Sequence, residues 1–291
     1  MTTTEGRAAR RAEAGQPYRG WPGLRASPTK GEVVAFRALL IRDVQVLRKT
    51  FVAFLMRTVT QPLLIVFVFA YVFPKIGQGV GGSGAGATLF STSLMPGLIG
   101  VAVVFQGIQA VTIPLVSEFG YTREIEDRVM APLPIWAVAV GKIVSGAIQS
   151  GLAALIVVPF ALWIPSTPVH VDVNWLALVT VAPLACVLAG ALGLAIGTRA
   201  EPGQIPMVFG IIVIPMTMLG AAYYPWERLD AIEWLKWAVL INPLIYISEG
   251  FRMALTDIPH MSAFGIYGAL VGFTIGLSWL GISGFTKRVL A

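Results

Sequence analysis

Six long apolar stretches constrain this chain more than any other feature of its sequence. A helix needs about 20 apolar residues to cross a hydrocarbon core of about 30 Å. The stretches lie at 51–73, 94–117, 135–164, 175–197, 205–222 and 264–285. With 56% hydrophobic and 12% charged residues, the chain has too little polar surface to cover a soluble globule. The sequence therefore predicts an all-α integral membrane protein with six transmembrane helices.

The segments before the first stretch are polar or amphipathic. Residues 1–31 are rich in Arg, Gly, Pro and Ala and show no apolar periodicity, which predicts a disordered basic tail. From Val33 to Phe51 the apolar side chains recur on one helical face, while basic residues such as Arg37 mostly fall elsewhere. This pattern is typical of a basic amphipathic helix in the headgroup layer of a membrane.

Lys and Arg residues concentrate in alternate loops, which predicts the orientation of the chain. One side carries the tail and a set of basic loops and ends, which contain Arg123, Arg128, Arg199, Lys287 and Arg288. Because basic loops stay in the cytoplasm, we expect a multi-pass protein of the cytoplasmic membrane with both termini inside the cell. The net charge of +6 includes no basic patch interleaved with aromatic residues, so we expect no nucleic-acid partner.

The segment 118–134 is the densest run of charge between two apolar stretches. Thr122 can cap a short helix there, and Glu124 and Arg128 can pair one turn apart. Pro132 and a second proline end the helix. Such a short amphipathic rod outside the bilayer is either an ordinary solvated loop helix or a lever that a soluble partner can push. The residues alone leave both interpretations open.

A second unusual segment, 223–259, is too charged to cross the membrane and too apolar to be fully solvated. Asn242 and Pro243 have the character of the cap and first residue of a short helix, in which Glu249 and Arg252 can pair. Two half-helices that meet at Asn242 would form a re-entrant helical hairpin before the last span. This hairpin is either a lid over the outer end of a pathway or a surface anchor without a gating role.

Polar residues inside the predicted spans are few. Gln106 and Gln109 share a face of the second span and could line a route for cargo. Residues of this kind more often form hydrogen bonds between helices, so both interpretations remain.

Several kinds of chemistry lack their usual residues in this sequence. The chain contains no G-x-x-x-x-G-K-[ST] loop for ATP, and its two histidines, His170 and His260, have no local cluster of metal ligands. No Asp or Glu lies at the middle of a predicted span, where a proton-coupled carrier or an intramembrane enzyme ordinarily has one. We therefore expect no catalytic, cofactor or metal site in this chain.

Three motifs make the chain resemble an ABC-2-type permease, the membrane subunit of an ATP-driven exporter, over about residues 32–291. They are the basic amphipathic helix before the first span, the run TREIEDRVMAPLPIWAVAVGKI after the second, and the run LINPLIYISEGFRMAL before the last. In that family these segments form an interface helix, a coupling helix that contacts the ATPase, and a pair of re-entrant helices. The usual Gly-Thr before the coupling helix is replaced here by Tyr121 and Thr122.

The resemblance also implies roles for individual residues. Contacts with the ATPase would come from Glu118, Arg123, Glu124, Glu126, Asp127 and Arg128. The outer gate would consist of Asn242, Pro243, Tyr246, Glu249 and Arg252. ATP and Mg would bind to a separate ATPase subunit, and a second permease copy or a paralogue would complete the pathway. The implied function is export of a drug, lipid or glycan. The alternative is a secondary carrier that an ion gradient drives.

Overall fold

The computed structural model describes residues 30–76, 85–122 and 133–290. These residues are almost entirely helical and contain no β-strand. The helices are α1 (Lys30–Lys49), α2 (Phe51–Lys75), α3 (Ala85–Ser117), α4 (Ile135–Trp163), α5 (Trp175–Gly197), α6 (Pro202–Met218), α7 (Glu233–Ile241), α8 (Pro243–Leu255) and α9 (Ala263–Leu290). The prediction of an all-α membrane protein is confirmed. Residues 1–29 of the predicted tail lie outside the described part of the chain.

Five of these helices, α2, α3, α4, α5 and α9, are long and apolar enough to cross a membrane. The fifth predicted span, 205–222, is instead the shorter apolar helix α6. At about 1.5 Å per residue, α6 spans roughly 25 Å. It contains Pro206 and Pro215, and its middle, Phe209–Val213, is a π-helical stretch. Proline cannot donate a backbone hydrogen bond, so α6 is an interrupted helix. It ends at Met218.

The centre of the bundle is α3, which packs against α4, α5 and α8. Small residues allow these helices to come close together. A carbon placed at the Cβ position of Gly190 in α5 would lie 2.4 Å from the carbonyl oxygen of Ile143 in α4. Thr112 in α3 donates a hydrogen bond of 2.9 Å to the carbonyl of Gly193 in α5. Close backbone packing of this kind is typical of helix association in membranes.

The predicted helical hairpin is present before the last span. Helices α7 and α8 meet at a bend of 99°. Helix α7 lies on the surface, with Trp234 and Trp237 largely exposed, whereas most of α8 is buried in the bundle. Indole rings favour the boundary between membrane and water, so α7 fits an interfacial position.

The bundle has two ends, which we name by their residues. The basic end comprises the end of α3, the start of α4, the end of α5 and the end of α9, which carries Arg288. The re-entrant end comprises the end of α2, the start of α3, the loop before α5 and the segment 219–262. There, the backbone N–H groups of Asp172 and Asn174 donate to the carbonyls of Leu255 and Ala254, at 3.0 Å and 2.9 Å.

Candidate functional site

Asn242 fixes the corner between α7 and α8. Its side-chain oxygen accepts a hydrogen bond from the backbone N–H of Leu244 at 3.0 Å, which caps α8, and Pro243 follows as the first helical residue. Its amide nitrogen donates to the carbonyl of Met216 in α6 at 2.7 Å. The prediction that Asn242 and Pro243 begin a second short helix is confirmed, and the same side chain also ties the corner to α6.

Tyr246 closes the same corner one turn further along α8. Its hydroxyl donates to the carbonyl of Leu240 at 2.9 Å, and its ring packs against Phe273 of α9 with centroids 5.8 Å apart. Tyr246 therefore links α7, α8 and α9.

Glu249 and Arg252 form the ion pair that the sequence predicts on α8, and both side chains are completely buried. The two oxygens of Glu249 also accept backbone hydrogen bonds, from Trp226 at 3.0 Å and from Met261 at 2.9 Å. Trp226 begins the turn before α7, and Met261 lies just before α9. One carboxylate thus holds two loops of the re-entrant end against α8.

The guanidinium of Arg252 binds two further carbonyls. It donates to Ser93 of α3 at 3.3 Å and to Ala221, after α6, at 3.1 Å. Ala221 has a φ of 52°, a left-handed conformation that costs energy for a residue with a side chain. A carbon at the Cβ position of Gly97 would lie 1.9 Å from the carbonyl oxygen of Ala222, so this strained corner presses directly on α3.

These contacts make the Glu249–Arg252 pair a hub for the re-entrant end. A charge away from water is costly unless another charge and hydrogen bonds compensate it. Here the two side chains neutralise each other's charge. Their hydrogen bonds are completed by backbone groups of α3, the Ala221 corner, the Trp226 turn and the Met261 loop. The structure therefore brings four of the predicted gate residues, Asn242, Tyr246, Glu249 and Arg252, into fixed contacts. Their gating role remains a prediction.

Gln106 and Gln109 are both buried in α3. The side-chain oxygen of Gln106 accepts a hydrogen bond of 3.0 Å from Thr58 of α2, which is the interhelical bond that the sequence left as one alternative. A cavity of about 10 Å³ adjoins this contact, and Pro62 lines the cavity as well. Because proline has no N–H, Pro62 cannot donate the helical hydrogen bond to the carbonyl of Thr58. A pathway role for Gln106 or Gln109 remains a prediction.

At the basic end, Glu118 is buried and pairs with Lys142 of α4 at 2.7 Å. Glu118 opens a π-helical turn, Glu118–Thr122, that continues α3. Its side chain is only 8% exposed, which leaves it little surface to offer an ATPase. The other predicted coupling residues lie outside the described part of the chain; they are Arg123, Glu124, Glu126, Asp127 and Arg128.

The interface helix α1 lies against the same end. A carbon at the Cβ position of Gly141 in α4 would lie 3.5 Å from a ring carbon of Phe36. Phe36 also packs against an apolar cluster at the basic end that includes Leu133 and Phe285. The predicted amphipathic helix thus contacts the start of α4 through part of one face, while much of the rest of the helix is exposed.

Sequence reasoning missed Lys142 and Arg288 as contact residues. A single lysine in one apolar span and a single glutamate at the end of the previous one are the only signal for the Glu118–Lys142 pair. From the sequence, Arg288 is only a charge that sets orientation, whereas the structure places it over the ring of Phe119, 4.6 Å from the centroid.

An open cavity of about 650 Å³ lies at the re-entrant end, outside the helical spans. Its lining includes Asp172, Glu227, Asp257 and His260. In its protonated form Asp257 can donate a hydrogen bond to the Asp172 carboxylate, and this bond together with the negative charge of Asp172 raises the pKa of Asp257. No group of His, Cys, Asp and Glu among the described residues has the geometry of a metal site.

A model of the ABC-2 type transporter family matches residues 34–256, from α1 to the residue after α8. The chain belongs to the ABC-2 type transporter family. Among curated proteins, this ABC-2 chain is 24% identical over 242 residues to the inner membrane transport permease YadH of Escherichia coli strain K12, covering 80% of this chain and 88% of that protein. The YadH permease of Shigella flexneri matches equally well. No solved structure matches the chain.

Family membership confirms the resemblance that the three motifs indicate. As an ABC-2 permease, the chain is a multi-pass transport protein of a membrane, and its family implies an ABC ATPase as its partner. The matched range includes the Glu118–Lys142 pair, the segment 123–132 and the whole of α8. Helix α9, with Phe285 and Arg288, lies beyond it.

Proposed function

We propose that the chain is the membrane-spanning subunit of an ATP-driven exporter. It moves an amphipathic or lipid-linked substrate, such as a drug, a lipid or a glycan, out of the cytoplasm. A separate ABC ATPase binds ATP and Mg, and a second permease copy or a paralogue completes the pathway. Membership of the ABC-2 family and similarity to an inner membrane transport permease support the ATPase partner and the location in the cytoplasmic membrane.

The charges of the two ends support an orientation with the basic end in the cytoplasm. Arg199, Lys287 and Arg288 lie at the basic end, and basic residues at the ends of spans favour the cytoplasmic side. The cavity at the opposite end has acidic lining residues, among them Asp172 and Asp257. In this orientation both termini are cytoplasmic and the α7–α8 hairpin faces outward.

The observation that carries the proposal is the path of α3. This helix continues through Glu118–Thr122 into the segment 123–132 at the basic end. At the other end the carbonyl of Ser93 accepts a hydrogen bond from Arg252. Between these points, a carbon at the Cβ position of Gly100 would lie 3.0 Å from the hydroxyl oxygen of Ser248 in α8. One helix therefore leads along the chain into the predicted coupling segment and also contacts the predicted gate.

The mechanism follows from this path. ATP binding draws two ATPase subunits together, and their movement is transmitted to the segment 123–132. Helices α3 and α4, which flank that segment in the chain, move with it. Because α3 contacts Arg252 and Ser248, the movement reaches α8 and changes the corner at Asn242. The chain contributes contacts and a pathway, and the ATPase carries out the chemistry.

Reconstitution in liposomes tests the proposal. The permease is inserted alone or with its ATPase, and transbilayer movement of a fluorescent phospholipid and a cationic amphiphilic dye is followed. We expect movement of at least one probe only with both subunits and ATP. An ATPase without its P-loop lysine serves as the matched control. Movement by the permease alone in an imposed proton or sodium gradient would contradict the proposal and favour the secondary carrier.

A further inference from the structure

The segment Glu118–Thr122, which we call the root segment, directly precedes residues 123–132 and contacts several helices. Glu118 pairs with Lys142 of α4 at 2.7 Å. A carbon at the Cβ position of Gly120 would lie 2.2 Å from a ring carbon of Pro202, the first residue of α6. Two of its residues therefore fasten the end of α3 to two other helices.

Phe119, between these residues, contacts the last helix. Its ring meets the ring of Phe285 edge to face, with centroids 5.7 Å apart. The guanidinium of Arg288 lies over the same ring, 4.6 Å from its centroid. An arginine at this distance from an aromatic face makes a favourable cation–π contact. The root segment is thus attached to α9, which is far from it in the sequence.

Arg288 also closes the end of α5. One of its terminal nitrogens donates to the carbonyl of Gly197 at 3.2 Å and to that of Ala200 at 2.9 Å. The last carbonyls of a helix lack partners within the helix and attract positive charge, so an arginine suits this place. A planar guanidinium can stack on a ring and donate within its plane at the same time. One side chain therefore joins α5, α9 and the root segment.

The chain that follows the segment 123–132 packs at the same end of α9. Leu133, the first described residue after it, is buried in a cluster that contains Phe285 and against which Phe119 packs. Phe285 of α9 therefore shares one apolar cluster with residues on both sides of the segment. Its other end begins at Ala263, two residues after Met261, which donates to Glu249. Helix α9 thus provides a second connection, beside α3, from the basic end to the hub.

We propose that Arg288 is a positioning residue that fastens the ends of α5 and α9 to the root segment. A displacement of the segment 123–132 then moves these two helices together with α3 and α4. This inference rests on the proposed function, because the displacement comes from an ATPase. It extends that function by naming α9 as a helix that receives the movement although it is not a chain neighbour of the segment.

The test compares Arg288→Ala with Lys287→Ala in the purified permease–ATPase complex in lipid nanodiscs. Lys287 is the adjacent residue, has the same charge and is exposed, so its variant controls for loss of charge. Hydrogen–deuterium exchange is measured with and without ATP plus vanadate. In Arg288→Ala, we expect the nucleotide-dependent change in exchange at the end of α9 to fall by about threefold or more, while the change at the start of α4 is kept. Lys287→Ala behaves like the wild type.

Phe119→Leu is the second variant, because it removes the ring beneath Arg288 and keeps an apolar side chain. If Arg288→Ala fails to fold or to bind the ATPase, Phe119→Leu tests the inference in its place. We expect the same loss of the nucleotide-dependent change in exchange at the end of α9, with the change at α4 kept. An undiminished α9 response in the folded Arg288→Ala or Phe119→Leu complex overturns the inference alone. A wild-type complex that does not assemble, or that shows no nucleotide response anywhere, overturns the proposed function and this inference with it.

Discussion

The two ends of the molecule each contain a buried ion pair, but the pairs are built differently. Glu249 and Arg252 lie on one helix, three residues apart, and their other partners are backbone groups of four further segments. Glu118 and Lys142 lie on two helices, 24 residues apart, on either side of the segment 123–132. The first pair holds backbone in place, whereas the second joins two helices. The comparison indicates a rigid clamp at the re-entrant end and a joint between α3 and α4 at the basic end.

The largest effect should come from breaking the clamp. Arg252→Met leaves the carboxylate of Glu249 buried without its counter-charge, and removing one partner of a buried pair costs about 3–5 kcal/mol. We expect a steep loss of folded protein and of thermal stability in detergent, measured by size-exclusion chromatography after heating. Arg228→Met, at an exposed position of the same end, is the control and should be close to the wild type. Equal stability of the two variants would contradict the clamp.

Exchanging the two charged residues of each pair distinguishes the clamp from the joint. Glu118→Lys and Lys142→Glu should each reduce unfolding stability by about 3 kcal/mol, and the double variant should regain most of the loss because two side chains exchange roles. Exchanging Glu249 and Arg252 should give no recovery, since backbone N–H groups and carbonyls cannot reverse their polarity. Thermal unfolding of the four single and two double variants measures both cycles. Recovery at the re-entrant pair, or none at the basic pair, would show that the distinction is wrong.

A smaller effect is expected from the contact between the root segment and α6. Gly120→Ala places a methyl group against Pro202 and should cost about 1–3 kcal/mol, because packed contacts resist added volume. Gly203→Ala is the matched control, since nothing lies within 4 Å of its Cβ position, and it should stay within about 0.5 kcal/mol of the wild type. Thermal unfolding compares them, and a Gly120→Ala variant as stable as Gly203→Ala would exclude the close contact.

The smallest effect concerns the acidic cavity of the re-entrant end. Asp172 raises the pKa of Asp257 in the folded state, so the protonated form of Asp257 favours folding. Its contribution is complete below the ordinary carboxyl value of about 4 and is lost as the pH rises through the raised value. Asp257→Asn should flatten the pH dependence of the melting temperature in this acidic range. Glu233→Gln, at an exposed position of α7, is the control for removing one carboxyl group from the same end. A pH profile of Asp257→Asn identical to that of the wild type would contradict the effect of Asp172 on Asp257.

The parts of this structure that local chemistry sets could be predicted from the sequence. Apolar length predicts the spans, the Asn242-Pro243 pair predicts the start of α8, and the three-residue spacing predicts the pair of Glu249 and Arg252. The shortness of α6 could also have been predicted, because Pro206 and Pro215 interrupt its hydrogen bonds.

Contacts between distant residues could not be predicted in this way. Arg252 reaches the carbonyl of Ser93 across 159 residues, and Arg288 reaches Gly197 and Ala200 across 91 and 88. Their acceptors are backbone carbonyls, which every residue has, so the sequence contains no specific signal for them. Only the packing of α3, α5 and α9 brings these groups together.

Photo-crosslinking from the two ends tests most directly where the ATPase acts. A photoreactive amino acid is placed at Glu126 in the segment 123–132, or at the exposed Trp234 of α7, and the complex with the ATPase is irradiated in membranes. We predict a covalent adduct with the ATPase from position 126 and none from position 234. An adduct from position 234, or none from position 126 in a complex that still co-purifies, would contradict the account.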